Sequence, residues 1–127
     1  MTHKEIQTEV IAKYQIDICD GTKCQNDWSR THAHVKERRV CKWKQANSIR
    51  STFTLLHEVG HIMTTKTKMR RAESEYWATA WAISEAKKYN LTIPENIRKL
   101  YQDYIYREKD RGIRRGGQGY GNLQLHW

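Results

Sequence analysis

Residues 53–63 read Phe53-Thr54-Leu55-Leu56-His57-Glu58-Val59-Gly60-His61-Ile62-Met63, a His-Glu-x-x-His pattern set in an apolar run. Histidines at i and i+4 of an α-helix lie about 40° apart around the axis and about 6 Å along it. Both imidazoles can then close on one Zn2+ at Zn–N distances of roughly 2.0–2.1 Å. Glu58 follows the first histidine directly and points beside the metal, where a carboxylate can serve as base toward a metal-activated water. Leu55, Leu56, Val59, Ile62 and Met63 make the segment apolar nearly all round, which predicts a buried helix. Gly60 leaves room for a second backbone to come close. Two histidines and a glutamate are costly to bury without compensation, and a metal ion supplies it.

A catalytic zinc typically takes three protein ligands and keeps one position for water or substrate. The metzincin pattern requires glycine and histidine three and six residues after His61. Those positions hold Thr64 and Thr67, and no further histidine occurs before His126. Glu73 and Glu75 stand at the head of the next helical stretch. They fall about 200° apart on a helix, so only one can face the metal. Ala78, Thr79 and Ala82 share the side of Glu75, and small residues there let that face approach the zinc helix. Glu73 shares its side with Trp77 and Ala80, a bulkier surface. Glu75 is therefore the expected third ligand, beside His57 and His61.

The run from Phe53 to His61, followed by Glu75-Tyr76-Trp77-Ala78-Thr79-Ala80-Trp81-Ala82, resembles the ImmA/IrrE family of metallopeptidases. That family carries Arg-Phe-Thr-x-x-His-Glu-x-Gly-His and then Glu-x-x-Ala-Asn-x-Phe-Ala on the following helix. The resemblance extends over residues 50 to 84. It implies a zincin-like fold, zinc on His57, His61 and Glu75, and Glu58 as general base. It also implies a phage or mobile-element setting in which the protein acts on a transcriptional repressor. Thr79 stands where the family usually has Asn or Asp, Trp81 replaces Phe, and Leu56 replaces a common Ala.

Composition bounds the remaining readings. At 127 residues the chain is long enough for one modest core, and it is read as a single domain. Charged residues make up 29% and the hydrophobic set 38%, yet five Trp and seven Tyr supply enough bulk to argue against disorder. No apolar run approaches the length of about 18 residues that a membrane span needs. Residues 1–16 lack a signal-peptide core, and a cytoplasmic protein is expected. Cys19, Cys24 and Cys41 form an odd set that argues against a disulfide framework. Free thiols are the expectation. Cys19 and Cys24 with Cys41 and either His32 or His34 are the alternative, a second zinc site. The net charge of +9 points to an acidic partner, whether protein or nucleic acid.

Along the chain, residues 1–46 read as a first helix over 3–16, a turn at Asp20-Gly21, and one or two exposed strands within 26–44 with a break near Glu37. Residues 47–92 carry the zinc helix, capped at Asn47-Ser48 and running to about Thr64, and the ligand helix over 72–89. Residues 93–127 hold a further helix opened by Pro94 and Glu95, with Ile97, Leu100, Tyr104 and Ile105 on its apolar side and an end near Asp110. Arg111 to Gly121 is expected to be mobile, and Leu123 to Trp127 to dock back, in the manner of an edge strand. The architecture is α+β.

The expected activity is peptide-bond hydrolysis, with Glu58 passing a proton to the leaving amine. Tyr76, His32, His34 and His126 are the candidates for stabilising the oxyanion. Lys66, Lys68, Arg70 and Arg71 are expected to edge the cleft and favour an acidic peptide. Two other functions compete. One is a zinc-containing binding module that disables a repressor by docking alone. The other is a nucleic-acid binder using Arg38-Arg39 and Arg111 to Arg115, which is not favoured.

Overall fold

The computed structural model describes residues 1–20 and 30–127; Cys24 lies outside them. Helix α1 (His3–Lys13) starts at Thr2, whose hydroxyl accepts from the Glu5 N–H while the Glu5 carboxylate takes the Thr2 N–H. This reciprocal cap satisfies donors that the first turn otherwise leaves open. Gln15, at φ 54, turns the chain into β1 (Asp17–Cys19). β2 (His32–His34) and β3 (Arg39–Cys41) follow, and Arg38 between them also takes a positive φ of 51. The sheet order is β1-β3-β2, with β1 parallel and β2 antiparallel to β3. The strands expected within 26–44 are therefore two short ones. β1 is an addition, because three residues are too few to display a period of two.

α2 (Ile49–Thr64) is capped by Ser48, whose side chain accepts from the Ser51 N–H at 3.2 Å. α3 (Arg71–Lys88) ends at Tyr89. Asn90 then takes φ 57, and the Leu91 N–H bonds the Ala86 carbonyl at 2.9 Å. Asn tolerates this left-handed position, and the bond closes an otherwise open helix end. α4 (Glu95–Arg114) runs a turn past the expected end at Asp110. Arg111 to Arg114, expected to be mobile, are thus helical. Arginine is a good helix former and its charge suits a C-terminal turn. These elements give the expected α+β fold.

α2 lies at the centre, with Phe53, Leu55, Leu56 and Val59 all but fully buried. The surrounding cluster takes Ile6 and Val10 from α1, Val40 from β3, Ala82 and Ile83 from α3, and Ile105 from α4. Buried Gln7 docks α1, donating to Thr52 Oγ1 at 2.9 Å and the Ala46 carbonyl at 2.8 Å. The tail docks as expected but without forming a strand. Leu123 and Leu125 are buried, and the Gln102 side chain donates to the Leu123 carbonyl and accepts from the Leu125 N–H. Leu100 departs from the expected apolar side, for it is 50% exposed. No helix among the described residues is long and apolar enough to cross a membrane.

Candidate metal centre

α2 and α3 cross with almost nothing between them at Gly60. A Cβ added there would meet the Ala78 carbonyl oxygen at 2.3 Å, a contact that no side-chain rotation relieves. The close approach expected from Gly60 and from the small residues Ala78, Thr79 and Ala82 is thus present, and all four are buried. It brings Glu75 over the two histidines. Nε2 of His57 and Nε2 of His61 lie 3.0 and 3.2 Å from the same oxygen, Oε2 of Glu75. One donor atom from each of the three residues falls within 4.8 Å of the others. Glu73 turns away and pairs with Arg70 at 2.6 Å.

The outer nitrogens of both rings are held by α3. Thr79 Oγ1 donates its proton to the Glu75 backbone carbonyl at 2.8 Å, so it accepts from Nδ1–H of His57 at 3.0 Å. That bond directs the Nδ1 proton outward and leaves Nε2 facing Glu75, to which it donates here and where a bound metal would displace its proton. Ser74 Oγ stands 3.3 Å from Nδ1 of His61. A hydroxyl from α3 thus serves each ring.

Glu75 keeps its second oxygen, Oε1, for the Arg71 guanidinium at 3.4 Å. Arg71 is itself held by the Tyr104 hydroxyl at 3.0 Å. Burial alone would raise the Glu75 pKa, but hydrogen bonds from His57 and His61 outweigh it and keep the carboxyl well below its usual range. Burial likewise opposes charge on His57, and the hydrogen bond to Glu75 reverses the effect, so His57 is raised. Glu58 is raised because burial dominates, despite the neighbouring histidines. Two inward ring nitrogens on braced imidazoles and one carboxylate form a set that suits a divalent zinc ion once the Nε2 protons are displaced.

The centre opens into a cleft of about 570 Å3 that also exposes Glu58, Thr54 and Tyr101. Of the four residues expected to stabilise an oxyanion, only His32 lines this cleft. Tyr76 packs beside Trp77 and against the core, and His126 is exposed. The basic rim also differs from expectation. Arg71 lines the cleft with Arg30 and Arg107, whereas Lys66, Lys68 and Arg70 do not. Arg70 instead stacks 3.7 Å from the centre of the Tyr120 ring and donates to the Gln118 carbonyl.

Tyr101 of α4 escaped the sequence reading, and Tyr104 was read only as part of the apolar side of its helix. The Tyr101 ring lies 4.9 Å from that of His57 and 5.0 Å from that of Phe53, and burial pushes its phenol up to about 12. On a helix with Ile97 and Ile105, a tyrosine reads as core, and no local pattern marks it as a cleft residue. Comparison with protein-family models, curated proteins and solved structures finds no match to this chain.

Proposed function

We propose that this protein is a zinc metallopeptidase of the cytoplasm that cleaves a regulatory protein such as a transcriptional repressor. The observation that carries the reading is the convergence of His57 and His61 on one oxygen of Glu75, in a cleft shared with Glu58. Zn2+, when bound by these three residues, supplies a Lewis acid that polarises a carbonyl and acidifies water. Glu58 takes a proton from the attacking water and returns it to the leaving amine. Burial raises the Glu58 pKa, which strengthens its hold on the proton that it must take and later return. Thr79 and Ser74 keep the two imidazoles turned inward. Arg71 holds Glu75 in place from its far oxygen. Arg30, Arg71 and Arg107 favour an acidic peptide segment, in keeping with the net charge of +9.

The test compares wild type with Glu58→Gln on a proteome-derived peptide library, reading new N-termini by mass spectrometry beside zinc content and thermal unfolding. Glu58→Gln should keep its zinc and its melting temperature and produce no new N-termini. Equal cleavage by both proteins would remove Glu58 from the mechanism. Wild type that retains no zinc would remove the metallopeptidase reading itself.

A further inference from the structure

A second group of metal-binding side chains lies on the sheet, apart from the His57–His61–Glu75 centre. His32 on β2 stands directly opposite Cys41 on β3, and His34 is two residues further along the same strand. Residues two apart on a strand, and those directly across from them, share one face of a sheet. Ala33 and Val40 occupy the other face and pack into the core. The His32 and His34 rings stand edge to face with centroids 5.0 Å apart. One donor atom each from His32, His34 and Cys41 falls within 4.8 Å of the others. Cys19 lies across from Cys41 on the β1 side, but its sulfur is not one of the three clustered donors.

Two details favour a ligand here over a packing role. Nδ1–H of His32 donates to the Arg30 carbonyl at 2.8 Å, the outward hydrogen bond by which metal-ligating histidines are oriented. Nε2 of His34 is buried and has no hydrogen-bond partner among the described residues, and a polar atom left so is normally avoided. Cys41 is fully buried and His32 is 5% exposed, so an ion between them would be shielded from water. Two imidazoles and a thiolate form a soft donor set that selects Zn2+ over harder cations.

We propose that His32, His34 and Cys41 form a second metal site, which takes Zn2+ when Cys41 is reduced. In this structure the Cys41 sulfur is in a disulfide, contrary to the expectation of free thiols. A disulfide sulfur is no thiolate ligand. The two states therefore exclude one another. Reduction by a thiol or phosphine reductant transfers two electrons, breaks the S–S bond and, with two protons, leaves the Cys41 thiol, the thiol of its former partner and the oxidised reductant. Binding of the metal then displaces the thiol proton. The bound ion ties the β2 edge to β3, and β2 supplies His32 to the cleft wall. The second site thereby bears on the shape of the first without sharing a ligand with it.

Cobalt titration tests this proposal independently of any peptidase activity. The metal-free chain is reduced with a phosphine and titrated with CoCl2 while absorbance is recorded. Two equivalents should bind, one of them with a thiolate-to-cobalt charge-transfer band in the near ultraviolet. Cys41→Ser and His34→Asn should each lose that band and one equivalent, whereas His57→Ala should keep the band and lose the other equivalent. Protein left oxidised should bind one equivalent without the band. Circular dichroism of each variant confirms folding, and the two single-site variants on β2 and β3 give separate readings should one misfold. No charge-transfer band in reduced wild type, or a band that persists in Cys41→Ser, would overturn the proposal.

Discussion

Thr79 accepts a hydrogen bond from Nδ1–H of His57 at 3.0 Å because its own proton is committed to the Glu75 carbonyl at 2.8 Å. A single hydroxyl on α3 thus orients His57 by bonding the backbone of Glu75. Thr79→Val keeps the shape and deletes the acceptor. Loss of such a supporting partner costs about 10- to 100-fold in metal affinity. Competition titration against a chromophoric chelator should show that loss in Thr79→Val and much less of it in Thr79→Ser. Unchanged affinity in the valine variant would mean that the hydroxyl does not hold the ring.

Gly60→Ala tests the helix crossing. Its new methyl group would fall 2.3 Å from the Ala78 carbonyl oxygen, and the obstacle is backbone, so α2 and α3 must separate. Overpacking of this kind costs about 1–3 kcal/mol. The melting temperature should fall, and zinc affinity with it, since Glu75 moves away with α3. An alanine variant as stable as wild type would show that the crossing tolerates a side chain.

Zinc should stabilise the fold through the His57–His61–Glu75 set. A ligand that binds only the folded state at about 1,000 times its Kd adds roughly 4 kcal/mol. In a Cys41→Ser background, which silences the sheet cluster, the melting temperature should rise on adding ZnSO4 and fall back with chelator. His57→Ala in the same background should lose most of that response. An equal response in both would place the zinc elsewhere.

Alkaline pH should expose the bond that joins α1 to α3. The Tyr14 hydroxyl donates to Oε1 of Glu85 at 2.7 Å, and Glu85 is 2% exposed. Burial, followed by the hydrogen bond to Glu85 and its charge, raises the Tyr14 pKa. The folded state then holds the phenolic proton more tightly than the unfolded chain, whose tyrosines titrate near 10. The contribution is complete below about pH 10 and is lost as pH rises through the folded-state value. Tyr14→Phe should cost about 1–3 kcal/mol at neutral pH, by leaving a buried carboxylate short of a donor. Urea midpoints taken against pH should then decline less steeply on the alkaline side. Parallel curves for variant and wild type would remove Tyr14 as the cause.

How much of this was legible in advance depended on how local each signal was. The Ser48 cap, the extent of α2 and the pairing of His57 with His61 rest on residues a few positions apart, where helical periodicity speaks directly, and Glu75 was found from the face it shares with small residues on the helix that follows. Gly60 and the small face of α3 carried the packing in the same way. Tyr101 joins the site across more than forty positions of sequence, and nothing near it says so. The basic rim was misread for a similar reason: Arg70 is drawn off by Glu73 and Tyr120, while Arg107 arrives from α4. The three-residue β1 was too short to declare itself.

The contact between Gly60 and Ala78 carries one more consequence. His57 and His61 belong to one helix and Glu75 to its neighbour, so the reach from ring to carboxylate is set by how near the two axes lie. The side chains at the crossing set that spacing, and residue 60 contributes none. In the proposed centre the missing atom would therefore act as a gauge for the ionic radius accepted, ahead of any choice of donor. Selection for a different metal would have its shortest route through a residue that never touches it.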